Sequence, residues 1–372
     1  MIKRTIFNDL VSHLDQKEIS LLIGPRQVGK TTLMRMLQEK AAQKGEKTLF
    51  LSMDIERERE FFSSQSSLLQ KISLEVGKGR AYIFLDEIQR KEDAGLFLKG
   101  LYDMDLPYKF IVSGSGSVEL KERVHESLAG RKRMFEVLPV SFQEFADYAT
   151  GYRYEGRLSE FFVIEKEETL RLLDMYLRFG GYPRVITSET QEEKTRIIDE
   201  IYRSYLERDI TSLLRVEKLD AFSGLVRVLA GQAGKLVRTS ELSATLGIAL
   251  PTVKTYLFYL EKTFIIERVT PYFGNIRKEI TKSPAVYFFD LGLRNYALGG
   301  FGMPLRPDDA GFLFQNLSSL LPLRMKWRLT AHASASFLFT ILYGRNFESA
   351  KHILRRSAAW SFIFFALIDL SR

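Results

Sequence analysis

The sequence contains no cysteine. That excludes disulfides, thiolate metal sites and a cysteine nucleophile, and it fits a reducing cytoplasm, the expected location. Long hydrophobic runs are also missing. Met1 to Thr5 lack the apolar stretch of a signal peptide. The longest apolar run near the end, Ala358 to Ile368, is shorter than the roughly 20 residues a bilayer-spanning helix needs. A buried or interfacial segment is expected there, and no membrane. Acids are scarce in one place only. From Leu317 to Arg372 eight basic residues face just Glu348 and Asp369, so this stretch holds +6 of the formal +8. The rest of the chain is close to neutral, and the overall excess is not read as a nucleic-acid surface.

What is present is ordinary for a globular chain: 45% hydrophobic and 27% charged residues. A length of 372 residues allows two or three domains with ample core.

The run from Ile19 to Gly45 reads as strand, glycine loop, helix. Ser20 to Ile23 is a short apolar run of the kind a buried parallel strand requires. Gly24-Pro25-Arg26-Gln27-Val28-Gly29-Lys30-Thr31 matches G-x-x-x-x-G-K-[ST]. Thr32 to Lys44 has helical spacing, with Leu33, Met36 and Leu37 on one face and Gly45 at the stop. Glycines let backbone amides wrap phosphates without Cβ clashes, and the following helix points its positive end at the same anions. Lys30 is placed to reach the β- and γ-phosphates, and the Thr31 hydroxyl to coordinate Mg²⁺, with Thr32 beside it. Arg26 inside the loop is read as a brace or a phosphate contact.

Such a loop calls for a second strand ending in an acid. Ala81 to Glu87 supplies it. Asp86 is expected on the Mg²⁺ side, and Glu87 to orient or deprotonate an attacking water. A third strand, Tyr108 to Val112, leads into Ser113-Gly114-Ser115-Gly116-Ser117. Ser113 and Ser115 are candidates for sensing a γ-phosphate, though a plain Ser/Gly turn reads equally well. Thr48 to Asp54 adds another strand. Strands alternating with helices predict an α/β fold, a P-loop NTPase parallel sheet with helices on both faces.

These motifs resemble a family of bacterial and archaeal ATPases with an AAA-type core, a central helical and winged-helix region, and a nuclease-like C-terminal domain. The resemblance is carried by Gly24 to Thr32, Leu85-Asp86-Glu87-Ile88-Gln89, Ser127-Leu128-Ala129-Gly130-Arg131 and Leu138 to Phe145. It continues through Gly180-Gly181-Tyr182-Pro183 and Tyr205 to Ile210, and runs from about Lys3 to about Asn316. It implies ATP as the nucleotide, consistent with the lack of an Asn-Lys-x-Asp guanine signature, and it implies the same Lys30, Thr31, Asp86 and Glu87. It also draws attention to Arg131, either an arginine finger acting in cis or from a neighbouring copy, or one member of a solvated basic cluster with Lys132 and Arg133. A finger acting in trans requires a homo-oligomer.

Further on, Glu165 to Phe179 and Glu192 to Leu214 are expected as helices. Thr239 reads as an N-cap, Gly247 as a tight turn, and Leu250 to Lys262 as a second helix with Val253, Tyr256, Leu257 and Leu260 inward. Phe264 to Val269 follows as a strand, and Arg277 to Ile280 with Val286 to Asp290 as a returning wing. That is the order of a winged helix-turn-helix, a module that docks on DNA or on protein. Thr252, Lys254, Thr255 and Lys262 face outward, only two of them basic.

After Asn316 the family pattern stops. Glu348 and Asp369 do not make the carboxylate cluster a nuclease needs, and His332 and His352 read as ordinary side chains. The abrupt change predicts a frameshifted or degenerate reading frame. The expected organisation is therefore 1–150 AAA-type ATPase domain, 151–236 helical region, 237–298 winged helix-turn-helix and 299–372 atypical segment. The expected activity is Mg²⁺-dependent ATP hydrolysis that drives a conformational change. The alternative is a nucleotide-gated regulatory or DNA-binding module with slow turnover.

Overall fold

The computed structural model describes residues 1–115, 127–204, 219–270 and 283–304. Its centre is a five-stranded sheet of β1 (Ile19–Gly24), β2 (Lys47–Ser52), β3 (Ala81–Asp86), β4 (Tyr108–Ser115) and β5 (Lys132–Glu136). All strand pairs are parallel and the order is β2-β3-β4-β1-β5. Side chains alternate across a strand, and the burial follows that period. Leu22, Tyr82, Phe84 and Ile111 face one side of the sheet, while Leu21, Ile23, Ile83, Leu85, Phe110 and Val112 face the other.

Helices cover both faces, as strands buried on both sides require. On the first face lie α1 (Ile6–Ser12) and α2 (Lys30–Gln43), the latter burying Leu33, Met34, Leu37 and Ala41. On the second face, after the short helix α3 (Glu56–Arg59), lie α4 (Gln65–Val76) and α5 (Ala94–Asp103). They contribute Leu68, Ile72 and Val76, and Ala94, Phe97, Leu98 and Leu101. The fold class is the expected one. β5 has no counterpart among the strands expected from the sequence. Only Phe135 of this edge strand is buried, so it carries almost no hydrophobic period and looks like a basic cluster.

The second half is mostly helical. α6 (Phe142–Ala149) begins with a capping box: the Ser141 hydroxyl accepts from the Glu144 amide, and the Glu144 carboxylate accepts from the Ser141 amide. It packs with α7 (Leu158–Ile164) and α8 (Lys166–Phe179) around Phe142, Phe162 and Tyr176. Two further helices, α9 (Pro183–Thr187) and α10 (Gln191–Ser204), follow. α11 (Leu219–Gly231), α12 (Thr239–Leu246) and α13 (Leu250–Lys262) come next, then an antiparallel hairpin of β6 (Ile266–Val269) and β7 (Ala285–Phe288), and α14 (Leu291–Ala297).

Gly247 makes the expected turn with φ +62°, and Val253, Tyr256, Leu257 and Leu260 are buried. Thr239 proves to be the first helical residue, with Arg238 at the cap position. Asp290 is not in the returning strand; its carboxylate caps α14 by accepting from the Leu293 amide at 2.8 Å. Buried side chains of α11 and α13 join the same cluster as Leu22 and Phe84, so the first sheet face and the helical half share one core.

The Tyr205–Ile210 motif, the end of the predicted 192–214 helix, the Arg277–Ile280 wing and the whole segment from 305 onward, with Glu348, Asp369, His332 and His352, lie outside the described residues. Among the described residues no helix is long and apolar enough to cross a membrane.

Candidate functional site

The chain leaves the sheet at Gly24, hard against β5. A Cβ at Gly24 would stand 2.0 Å from the Val137 carbonyl oxygen, an approach that only glycine permits. Pro25 to Val28 form the loop, with Val28 fully buried beneath it. Gln27 is exposed and Arg26 half-buried. Gly29 closes the loop with a left-handed φ of +95°, again a glycine position. α2 starts at Lys30. Its first-turn amides have no intrahelical acceptors and carry the positive end of the helix dipole, so the loop mouth is an anion site by construction.

Lys30 is 5% exposed. Its ammonium folds onto the loop and donates to the Gly24 and Pro25 carbonyls at 3.0 and 2.7 Å. The next residue makes the contact that joins the loop to the second strand. The Thr31 hydroxyl donates to Asp86 Oδ2 at 2.9 Å. Thr32 is exposed on the same turn.

Asp86 ends β3 and is buried, at 4% exposure. Its other oxygen, Oδ1, accepts from the hydroxyl of Ser113 on β4. That same hydroxyl accepts from the Glu87 amide at 3.1 Å. One fully buried serine therefore fixes both acids: its proton is committed to Asp86 and a lone pair to Glu87. Glu87 itself adopts a left-handed backbone, φ +59° and ψ +40°, which costs a non-glycine residue on the order of 1 kcal/mol. Its carboxylate accepts from Gln89 Nε2. Two hard oxygen donors, the Thr31 hydroxyl and the Asp86 carboxylate, thus stand together beside the loop. Among the described residues no group of three or more His, Asp or Glu side chains could form a metal cage. The Thr31 hydroxyl and Asp86 carboxylate are the kind of donors that fit Mg²⁺, which takes one or two protein oxygens with phosphates and water completing its shell. The side chain of Ser115 lies outside the described residues.

Arg131 is not brought to the loop. It precedes β5, and Ile19 at the start of β1 pairs with Lys132. Arg131 therefore lies at the N-terminal end of the sheet, about 17 Å from the loop along β1 at roughly 3.4 Å per residue. There its guanidinium pairs with Asp103 at 2.7 Å. In this arrangement Arg131 does not reach the loop of its own chain.

Two arginines that sequence reasoning did not single out stand at the loop instead. Arg184, on α9, donates to the Gln27 side chain at 3.2 Å and pairs with Glu200 at 3.3 Å. Its only sequence signal is its position directly after Gly180-Gly181-Tyr182-Pro183. That segment is anchored by the Gly181 amide, which donates to Asp290 Oδ2 at 2.6 Å, and by the Val140 amide, which donates to the Gly181 carbonyl at 2.7 Å. Arg4 reaches the loop from behind and donates to the Val28 carbonyl at 3.1 Å.

Residues 16–146 match the family model of an AAA domain. Residues 170–303 match a second family model, a domain of unknown function (DUF8612). An uncharacterised protein of Mycobacterium tuberculosis is 28% identical over 343 residues, covering 89% of this chain and 69% of its own length. An uncharacterised protein of Haemophilus influenzae is 27% identical over 318 residues, covering 81% and 75%. Among solved structures, the replication initiator DnaA bound to AMPPCP and single-stranded DNA aligns over 70% of this chain and 90% of its own, with 15% identity and a TM-score of 0.33.

Proposed function

We propose that the AAA domain binds ATP with Mg²⁺ and hydrolyses it, coupling turnover to movement of the helical half. The observation that carries this reading is the contact between Thr31 and Asp86 at 2.9 Å. It places a loop hydroxyl and a buried carboxylate from distant parts of the chain at one point beside the anion-binding helix end. Bound Mg²⁺ would neutralise charge developing on the phosphates.

The chain's own groups divide the remaining work. The backbone amides between Arg26 and Thr32 cradle the phosphates. Lys30 exchanges the Gly24 and Pro25 carbonyls for phosphate oxygens. Glu87 accepts a proton from, or orients, the attacking water. Ser113 acts on the acids, holding the Asp86 carboxylate and the Glu87 backbone, and is not needed as a direct phosphate contact. Arg184, held to the Gln27 side chain of the loop, follows the nucleotide from within the same chain. Arg131 is left to act on a neighbouring copy, through a homo-oligomer.

The test is Mg²⁺-dependent phosphate release by the purified protein, compared with Lys30→Ala and Glu87→Gln. Turnover absent from both variants, with ATP binding kept in Glu87→Gln, is expected. Wild-type turnover that survives Glu87→Gln would sink Glu87's role.

A second reading has its own observation. α12, the Gly247 turn, α13 and the β6–β7 hairpin follow one another in the order of a winged helix-turn-helix, with Lys254 and Thr255 exposed on α13. Under this reading nucleotide occupancy gates a DNA or protein partner and hydrolysis is slow. ATP turnover measured with and without duplex DNA separates the two: stimulation by DNA ties the module to nucleic acid, and an unchanged rate leaves a protein partner.

A further inference from the structure

Arg4 has no part in the chemistry above, yet it is among the most completely engaged side chains near the site. Its side chain is 9% exposed, and its fork reaches three acceptors from three parts of the chain. These are the Val28 carbonyl in the phosphate loop at 3.1 Å, the Leu138 carbonyl at 2.6 Å and Glu144 Oε2 at 3.2 Å. Glu144 is itself 6% exposed. It accepts in addition from the Thr5 amide at 2.7 Å, the Thr5 hydroxyl at 3.0 Å and the Ser141 amide at 2.9 Å. The acid that caps α6 is thereby fastened both to the Arg4 side chain and to Thr5, the next residue along the chain.

We infer that Arg4 is a positioning residue for the phosphate loop, set by Glu144. The physical step is the planarity of the peptide unit. The carbonyl of Val28 and the amide of Gly29 belong to one rigid plane and point in opposite directions. A hydrogen bond that fixes the Val28 carbonyl toward Arg4 therefore also fixes the direction of the Gly29 amide, one of the backbone donors with which such a loop meets an anion. Arginine suits the task because a planar fork spans three acceptors at once, whereas a lysine ammonium is a single point. The same brace ties the loop to the Leu138–Glu144 segment, whose Val140 amide holds Gly181 two residues before Pro183 and Arg184. Arg4 thus sets the loop and the approach of Arg184 from one place.

This inference rests on the ATP-binding reading, and its test separates the two. MgATP affinity is measured by calorimetry on the full chain for wild type, Arg4→Ala and Arg4→Lys, alongside thermal melting without nucleotide. Loss of affinity by about tenfold or more in Arg4→Ala is expected, recovered in part by millimolar methylguanidinium, with Arg4→Lys also weakened while melting near wild type. A purely structural role would lower the melting point and leave the affinity of the folded fraction unchanged. Wild-type affinity in Arg4→Ala overturns the inference. If Arg4→Ala does not fold, wild-type affinity in Arg4→Lys overturns it instead, because one ammonium cannot replace the fork. A wild-type chain that binds no ATP would sink the nucleotide reading itself.

Discussion

The two ends of the parallel sheet are both rich in charge, and they differ in what that charge does. At the C-terminal end, Lys30, Thr31, Asp86, Glu87 and Ser113 converge from three strand ends, beside a helix start whose amides are unspent by the fold. At the N-terminal end, Arg131 pairs with Asp103, and His13, Ser20 and Lys109 form a buried cluster. There the His13 Nδ1 lies 2.7 Å from the Ser20 hydroxyl, and the Lys109 ammonium donates to the Glu18 carbonyl. Charge at that end closes on itself. The lesson is topological. Parallel strands deliver all their carboxyl ends to one edge, so residues 24, 86 and 113 meet although nearly ninety positions separate them, and conspicuous basic residues at the other edge have no route to the same point.

The comparison breaks first at Lys30. Lys30→Ala is expected to weaken ATP binding by about 100-fold, the scale of a lost hydrogen bond to a charged group, read by calorimetry. Glu87→Gln should lower phosphate release by a factor on the order of 10² to 10⁴ while affinity holds. An equal loss of affinity would instead make Glu87 part of the binding surface.

Ser113→Ala sharpens it next. Removing the hydroxyl leaves Asp86 Oδ1 and the Glu87 amide without their shared partner. That should cost about 1–3 kcal/mol of stability, read by urea denaturation, with a turnover loss smaller than that of Glu87→Gln. A normal melting curve with turnover abolished would return Ser113 to direct phosphate contact.

The N-terminal end makes a prediction of a different kind. Burial, then the nearby charge of Lys109, lowers the His13 pKa from 6.5 to about 4, and burial lowers Lys109 from 10.5 to about 8. Arg133 also lowers His13, while Glu18 opposes both shifts. Between those folded and unfolded values the unfolded chain binds a proton that the native one refuses, and stability rises with pH. Melting temperature should climb from pH 4 to 6.5, stay level, and climb again from 8 to 10.5, by about 2–4 °C for each kcal/mol. His13→Asn should flatten the acid limb alone. A limb that survives would assign it to other groups.

How much of this was legible in the sequence follows the same division. The loop, its strand and Asp86-Glu87 could be read because each is a local pattern: glycines at fixed spacing, an apolar run, paired acids at its end. The inward residues of α13 could be read from the helical period. β5 could not, because an edge strand buries one residue in five and leaves no period to detect. The Ser113 bridge, the Arg184 contact with Gln27 and the Arg4–Glu144 brace were out of reach for another reason. Each joins residues 26 to 157 positions apart; a capping-box spacing at Ser141–Glu144 hints at a helix start but says nothing of the arginine it also holds. Arg131 was drawn toward the site by resemblance, and only strand register shows which end of the sheet it occupies.

The smallest expected effect is therefore at Arg131, and it is the one that decides how many chains make a site. Within one chain, Arg131→Ala breaks a partly exposed ion pair with Asp103, worth about 0–1 kcal/mol, and should leave ATP affinity within about twofold. If Arg131 serves a neighbouring copy, turnover of the variant falls while affinity stays, and the wild-type rate per chain rises with protein concentration. Mixing Arg131→Ala with Lys30→Ala chains then restores turnover, because an arginine from the second faces an intact loop in the first. A rate independent of concentration, with no recovery on mixing, would leave Arg131 and Asp103 as a surface pair, and the chemistry would belong to one end of one sheet.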